Sequence, residues 1–141
     1  MLFPAPVRHG GSDGFGFVLW MDGQRIGYTS DTEYFEGMPA HYRDCDVLIA
    51  NNLKAREDGI PGHLYSGATA RLLREAKPKL ALLSHIGMDL IRAGPKREAE
   101  KIGRLSGVRT VSAEDGMRID AGALEISEGS PKLQKQGVRK R

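Results

Sequence analysis

The chain has a single cysteine, Cys45, and this scarcity limits what can hold it together. One thiol cannot form a disulfide within the chain, and a fold without disulfides fits a reducing compartment. No run of 18 or more apolar residues occurs, so the sequence offers no membrane-spanning segment. Residues 1–4 lack the charged and then apolar pattern that begins a secretion signal. We therefore expect a cytoplasmic protein in which Cys45 is a small core residue.

Length and composition indicate one domain with its own core. The chain has 141 residues, of which 40% are hydrophobic, and this is enough apolar material for one buried core. Its 18 glycines indicate many turns and argue against a plain helical bundle. No internal repeat occurs.

The basic charge is concentrated at the end of the chain. Residues 129–141 carry five of the 21 lysines and arginines and none of the 18 acidic residues, so residues 1–128 have a net charge of −2. We predict a folded domain over residues 1–128 and a disordered basic tail over residues 129–141. Such a tail can also contact nucleic acid or another polyanion.

Apolar periodicity predicts an α/β order of elements. The Asp22-Gly23 turn predicts a hairpin over residues 15–28, whereas residues 1–8 show no periodic pattern. Continuous apolar runs predict buried strands at 47–50 and 80–83, and a third strand follows at 108–111. The predicted helices and remaining segments are a short helix at 33–43 that Gly37 and Pro39 weaken or interrupt, a polar loop at 51–65, a helix that Ser66 caps and in which Ala68, Leu72, Leu73 and Ala76 form one apolar stripe, a helix from Pro95 to Gly107 with Ala99, Ile102 and Leu105 on one face, and a closing hairpin at 117–126.

One carboxylate stands at the end of the first hairpin. Asp31 follows the strand that ends near Thr29, and Thr32 is placed to act as N-cap of a helix that opens at Glu33. A carboxylate beside a helix N-terminus stays ionised and can bind a cation. Alternatively, Asp31 is only a cap or turn residue with no role in cation binding.

Histidines follow other strands of the same predicted sheet. His63 lies in the loop after strand 47–50, together with Asn51 and Asn52, and His85 directly follows strand 80–84. Because carboxyl ends of parallel strands share one edge of a sheet, we expect these groups to meet Asp31 there.

His9, just before the first hairpin, lies at the same edge. Imidazole and carboxylate together suit a divalent metal such as zinc, manganese or iron. Each histidine also has an ordinary explanation as a loop or surface residue, and no compact paired-ligand motif occurs. His41 has no identified partner.

Six short stretches together resemble a known family. They are HGGSDGFGF at 9–17, YTSDT at 28–32, DVLI at 46–49, HLYS at 63–66, LLSH at 82–85 and AEDGMRI at 113–119. In this order they are similar to the C-terminal half of a metallo-β-lactamase-fold hydrolase, nearest to the ribonuclease Z-like branch. The resemblance implies an α/β fold that is half of an αββα sandwich, with one mixed sheet and helices on one face.

The resemblance also implies roles for the clustered residues. His9 matches a ligand of the first metal, Asp31 the carboxylate that bridges two metals, and His85 a ligand of the second metal. His63 matches a catalytic histidine that is not a ligand and that protonates the leaving group or stabilises the transition state. The implied reaction is hydrolysis by a metal-bound hydroxide, with zinc as the first choice and manganese or iron as alternatives.

The chain departs from the family pattern in two ways. The principal ligand motif, H-x-H-x-D-H, is absent, so we expect an incomplete site, a chain inactive by itself and exposed apolar surface. An upstream continuation, a removed segment, a separate polypeptide or a second copy could complete it. Only a tight hairpin separates His9 from Asp31, which favours a small ester, phosphodiester or lactone over a tRNA.

Two other functions stay open at this point. The chain could be a non-catalytic remnant or partner subunit of the same fold. It could also be a small α/β module that binds a polyanion through its basic tail.

Overall fold

The structure, a computed structural model, describes residues 1–57 and 61–128; the predicted tail at 129–141 lies outside this part. A mixed sheet with helices packed on one face forms its centre. The strands in this part are β1 (Leu2–Ala5), β2 (Gly16–Met21), β3 (Gln24–Tyr28), β4 (Val47–Lys54), β5 (Leu64–Tyr65), β6 (Leu80–Ser84), β7 (Arg109–Ser112), β8 (Arg118–Asp120) and β9 (Glu125–Ser127). Its helices are α1 (Met38–His41), α2 (Ser66–Ala76), α3 (Met88–Ala93) and α4 (Pro95–Ser106). None of these helices is long and apolar enough to cross a membrane.

The strand order places several chain turns at one edge of the sheet. Within the described residues the order is β1-β2-β3-β4-β6-β7, with β5 paired to β4. β1, β2 and β3 pair antiparallel, while β3, β4, β6 and β7 pair parallel. The parallel strands need helical crossovers, which α1, α2, α3 and α4 supply. The predicted parallel pairing over residues 46–111 is therefore confirmed.

The helices cover one face of the sheet. Leu48, Ala81 and Leu83 lie on this face and belong to one core cluster with Leu72 of α2 and Ile102 of α4. The apolar positions of α2 recur at helical spacing, so the helix buries them while its polar side stays in water. The predicted apolar side of α2 is confirmed.

The opposite face is covered over only part of its width. Strand register places Leu2, Leu19, Ile26, Val47 and Leu80 in one row across this face. The hairpin β8–β9 packs over the Val47 end of the row, whereas Leu2 at the other end remains 51% exposed. One sheet with helices on one face is the arrangement predicted for half of a sandwich.

The predicted helix at 33–43 is wrong over most of its length. Only α1 forms there, because Gly37 takes a left-handed φ of 87° and Pro39 can begin a helix but not continue one. Thr32 does not cap a helix: its hydroxyl oxygen accepts from the Arg8 N–H and donates to the Glu33 carbonyl. Asp31 therefore does not lie at a helix N-terminus, and the helix dipole does not stabilise its charge.

Other element boundaries also differ from the prediction. Residues 1–8 contain the edge strand β1, and β4 continues to Lys54, so that Asn51 and Asn52 lie in a strand rather than a loop. α3 was not predicted. Edge pairing, a strand extension and a one-and-a-half-turn helix each depend on neighbours that are distant in sequence.

Three predictions concern single side chains. Ser66 is the first residue of α2 and its hydroxyl donates to the Lys54 carbonyl, so the predicted cap is wrong. Leu105 is 53% exposed, although α4 and its end at Gly107 are confirmed. Cys45 is fully buried as predicted, and burial raises the pKa of its thiol to about 11, which keeps it protonated.

Gly27 provides a test of the packing under the sheet. A Cβ at Gly27 would lie 2.8 Å from Leu48 Cδ1 and 3.1 Å from Tyr42 Cδ1, in the fully buried core. We predict that Gly27→Ala lowers the free energy of unfolding by about 1–3 kcal/mol, because the core must shift to admit a methyl group. The measurement is urea denaturation. Gly14→Ala is the control, since its Cβ would meet only Val7 at 3.7 Å, and we expect a change below about 0.5 kcal/mol. Equal losses in both variants would contradict the prediction.

Candidate metal centre

The turn after β3 is tied to the neighbouring strand β4 by Asn51. The Asn51 backbone N–H donates to Thr29 Oγ1 over 3.0 Å, and its side-chain Nδ2 donates to Asp31 Oδ1 over 2.7 Å. Thr29 is fully buried and its N–H donates to the Ile49 carbonyl. These bonds place the Asp31 carboxylate just beyond the carboxyl end of β3, beside Asn51 of β4.

The same turn holds the segment that carries His9. The Arg8 N–H donates to Thr32 Oγ1 over 2.9 Å, and the Glu33 N–H donates to the Arg8 carbonyl over 2.9 Å. Thr32 is fully buried. Because Arg8 is bonded on both sides, the next residue, His9, is held beside Asp31.

Glu33 ties a third segment to this turn. Its Oε2 accepts from the Gly62 N–H over 2.9 Å, which positions the following residue, His63. Gly62 has a φ of +83°, and a Cβ there would lie 2.9 Å from His9 Cδ2. A glycine is therefore required both for the backbone conformation and for the close approach of the two histidine segments.

Three imidazole rings form a cluster beside the Asp31 carboxylate. The rings of His9 and His63 meet edge to face with centroids 4.8 Å apart, and those of His63 and His85 are nearly parallel at 5.7 Å. His85 Nε2 lies 3.5 Å from Asp31 Oδ1. The structure thus brings together all four residues singled out in the sequence. His41, at the end of α1, takes no part in these contacts.

These donors fit a divalent ion. One potential ligand atom from each of His9, Asp31 and His63 lies within 4.8 Å of the others. His63 Nδ1 is buried and has no hydrogen-bond partner within the described residues. Imidazole nitrogen with carboxylate oxygen suits zinc, manganese and iron. The geometric group contains His63, whereas the sequence placed His85 in the ligand set with His9 and Asp31.

Burial favours the neutral form of His63. It lowers the pKa of this imidazole below the ordinary value of 6.5, and the neighbouring rings of His9 and His85 act in the same direction, while Asp31 opposes them. A neutral imidazole has a lone pair to offer to a metal, so the lowered pKa suits this site.

The sequence did not reveal the supporting contacts of Asn51, Thr32 and Glu33. Asn51 was noticed only as a loop residue, and Thr32 was assigned to a cap. For Asn51 the available signal was its position directly after a predicted buried strand, because side chains at that position reach the functional edge of a parallel sheet.

A cleft of about 440 Å³ opens beside His63. It carries both signs of charge, from Lys54 and Arg71 and from Glu33 and Glu57. Tyr34 and Tyr65 give it aromatic walls. The cleft therefore has polar and aromatic walls directly beside the cluster of histidines.

Comparison with known proteins identifies the family. The profile of the β-lactamase superfamily domain matches residues 1–86, which is more than half of the chain, so this protein belongs to that family. The uncharacterized protein MJ1374 of Methanocaldococcus jannaschii is 32% identical over 116 residues, covering 81% of this chain and 43% of that protein. The chain therefore spans less than half the length of this relative.

Solved structures share the fold. The metallo-β-lactamase-fold protein YhfI from Bacillus subtilis superposes with a TM-score of 0.69 at 20% identity, over 80% of this chain and 46% of that one. Zn²⁺-bound PqqB from Methylobacterium extorquens has a TM-score of 0.64 at 16% identity, over 84% of this chain and 49% of that one. The resemblance to half of the metallo-β-lactamase fold is thereby confirmed.

The lowered pKa of His63 makes the stability of the metal-free chain depend on pH. Between the folded-state pKa and 6.5 the unfolded chain binds more protons than the folded chain. The contribution of His63 to the free energy of unfolding is therefore highest above pH 6.5, where His63 is neutral in both states. It decreases as the pH falls toward the folded-state pKa. We predict a lower urea midpoint at pH 5.5 than at pH 7.5, and a smaller difference in His63→Gln. The exposed control His41→Gln should retain the full difference; its loss there as well would contradict the assignment.

Proposed function

We propose that this chain is the portion of a metal-dependent hydrolase that carries His9, Asp31 and His85 as ligands of a divalent ion, with zinc as the first choice. The observation that carries the proposal is the meeting of one carboxylate and three imidazoles, from separate segments, at the carboxyl ends of the sheet strands. Membership of the β-lactamase superfamily and the similarity in fold to metallo-β-lactamase-fold proteins support it.

Each residue has a distinct role in this proposal. Asp31 supplies the charge that balances the cation, and His9 and His85, whose rings both neighbour His63, supply nitrogen ligands. When bound, the ion lowers the pKa of a water ligand and stabilises negative charge that develops on the substrate. His63 provides a ring N–H that can donate a hydrogen bond to the leaving group or to charge that develops in the transition state.

We propose a small phosphodiester as the first substrate class, with a carboxylic ester or lactone as alternatives. Arg71 lines the cleft beside His63, and its guanidinium, which also pairs with Glu75, can contact a phosphoryl group. The cleft volume of about 440 Å³ suits a small molecule.

We further propose that a partner segment bearing a second sheet completes the site. The chain matches 46% of YhfI and 49% of PqqB, and its own sequence lacks the H-x-H-x-D-H motif. The row from Leu2 to Leu80 leaves an apolar sheet face partly open, and Met21 on that face is 53% exposed. A chain kept only as a non-catalytic subunit would use the same face but bind no metal.

The metal site can be tested on the purified chain. We predict that it binds zinc in competition with a chelating indicator, and that Asp31→Ala and His85→Ala each weaken binding at least about tenfold, because each removes a ligand. His63→Ala should weaken binding less than either of these variants, because the proposal does not make His63 a ligand; an equal loss would place His63 in the ligand set. His41→Ala is the matched histidine control and should bind as wild type does. Absence of zinc binding by the wild-type chain, or equal binding by every variant, would overturn the proposal in favour of a non-catalytic subunit.

The open sheet face can be tested separately. We predict concentration-dependent association of the chain in analytical ultracentrifugation, which Met21→Glu shifts toward monomer because a charge on the sheet face opposes burial. Met88→Glu on α3 is the control, since Met88 is 62% exposed but lies on another surface. If both variants associate as the wild type does, the association of copies of this chain does not use the sheet face.

A further inference from the structure

We infer that Asn51 is a positioning residue that holds the Asp31 carboxylate in the orientation needed for metal binding; this inference rests on the proposed function. Asn51 is 4% exposed, and its Nδ2 donates to Asp31 Oδ1 over 2.7 Å. It touches the carboxylate rather than the substrate, so its effect on the site is exerted through Asp31.

The side chain of Asn51 is itself firmly held. Its backbone N–H donates to Thr29 Oγ1 over 3.0 Å, and the same Nδ2 also donates to the Tyr28 hydroxyl over 3.2 Å. Both amide protons of Nδ2 are therefore used, one toward Asp31 and one toward Tyr28. Because Asn51 is anchored on β4, the Asp31 side chain on the neighbouring turn has one favoured orientation before any ion arrives.

An amide suits this position better than the alternatives. It donates to a carboxylate without adding charge, so Asp31 keeps its negative charge for the cation. An aspartate at 51 would set two carboxylates against each other, and an alanine would remove the hydrogen bond that joins Asp31 to β4. A ligand side chain that is already ordered in the metal-free folded chain loses less conformational entropy when the ion binds.

Asn52 offers a control within the same strand. It is fully buried, but its Oδ1 accepts from Thr69 Oγ1 over 2.5 Å and its Nδ2 donates to the Lys54 carbonyl over 3.3 Å. Successive residues of a strand face opposite sides, so Asn52 points away from Asp31. Replacing either asparagine removes a buried amide, but only one of the two contacts the metal centre.

The test compares zinc affinity and thermal stability of the purified full chain. We expect Asn51→Ala to weaken zinc binding about tenfold, as loss of a group that orients a ligand commonly does. Asn52→Ala should lower the melting temperature and leave zinc affinity unchanged. Wild-type affinity in Asn51→Ala, or the same loss in both variants, would overturn the inference. Absence of zinc binding by the wild-type chain would overturn the proposed function and with it the metal role of Asn51.

A second measurement needs no metal. Urea midpoints of Asn51→Ala, Asp31→Ala and the double variant show whether the two side chains interact. We expect the two losses to be clearly non-additive, since each single variant already breaks the Asn51–Asp31 bond. Additive losses would mean that the contact does not exist in solution, and would overturn the inference whatever the chain does with zinc.

Discussion

The site depends on the hydrogen bonds made by the turn at residues 29–33. Thr29 and Asp31 bind Asn51 of β4, Thr32 binds the Arg8 backbone, and Glu33 binds the Gly62 backbone. Three segments that are distant in sequence are thereby attached to one short stretch of chain. Because Thr29 and Thr32 are fully buried, water does not compete with their bonds, and loss of one leaves a polar group unsatisfied.

The strand order of the sheet brings this turn close to the other potential metal-ligating side chains. β3, β4 and β6 run parallel, so the residues that follow them reach one edge, and His85 is brought 3.5 Å from Asp31 in this way. The helices bury their apolar stripes against one face of this sheet. The opposite face is only partly covered by β8–β9, in keeping with a chain that spans under half of its relative MJ1374.

The central elements could be predicted because their signals are local. The apolar runs of β4 and β6 and the helical spacing of α2 are visible in a few neighbouring residues. The helix expected at 33–43 failed because Gly37 takes a left-handed φ and Pro39 cannot continue a helix. Thr32, its predicted cap, instead pairs with Arg8, which is 24 residues away. β1 was invisible because an edge strand of four residues is defined by its pairing with β2 rather than by its own pattern.

For the site, the sequence alone determined which residue types stand at the strand ends: Asp31, His63 and His85 follow strands that local periodicity reveals, and the parallel order puts them at one edge. Only the tertiary structure decided how they face each other. The contacts of the His63 ring with those of His9 and His85, and the bond from Asn51 to Asp31, depend on strand register and on side-chain orientation. A shift of one residue in register would turn Asn51 to the opposite face, and no local pattern records that choice.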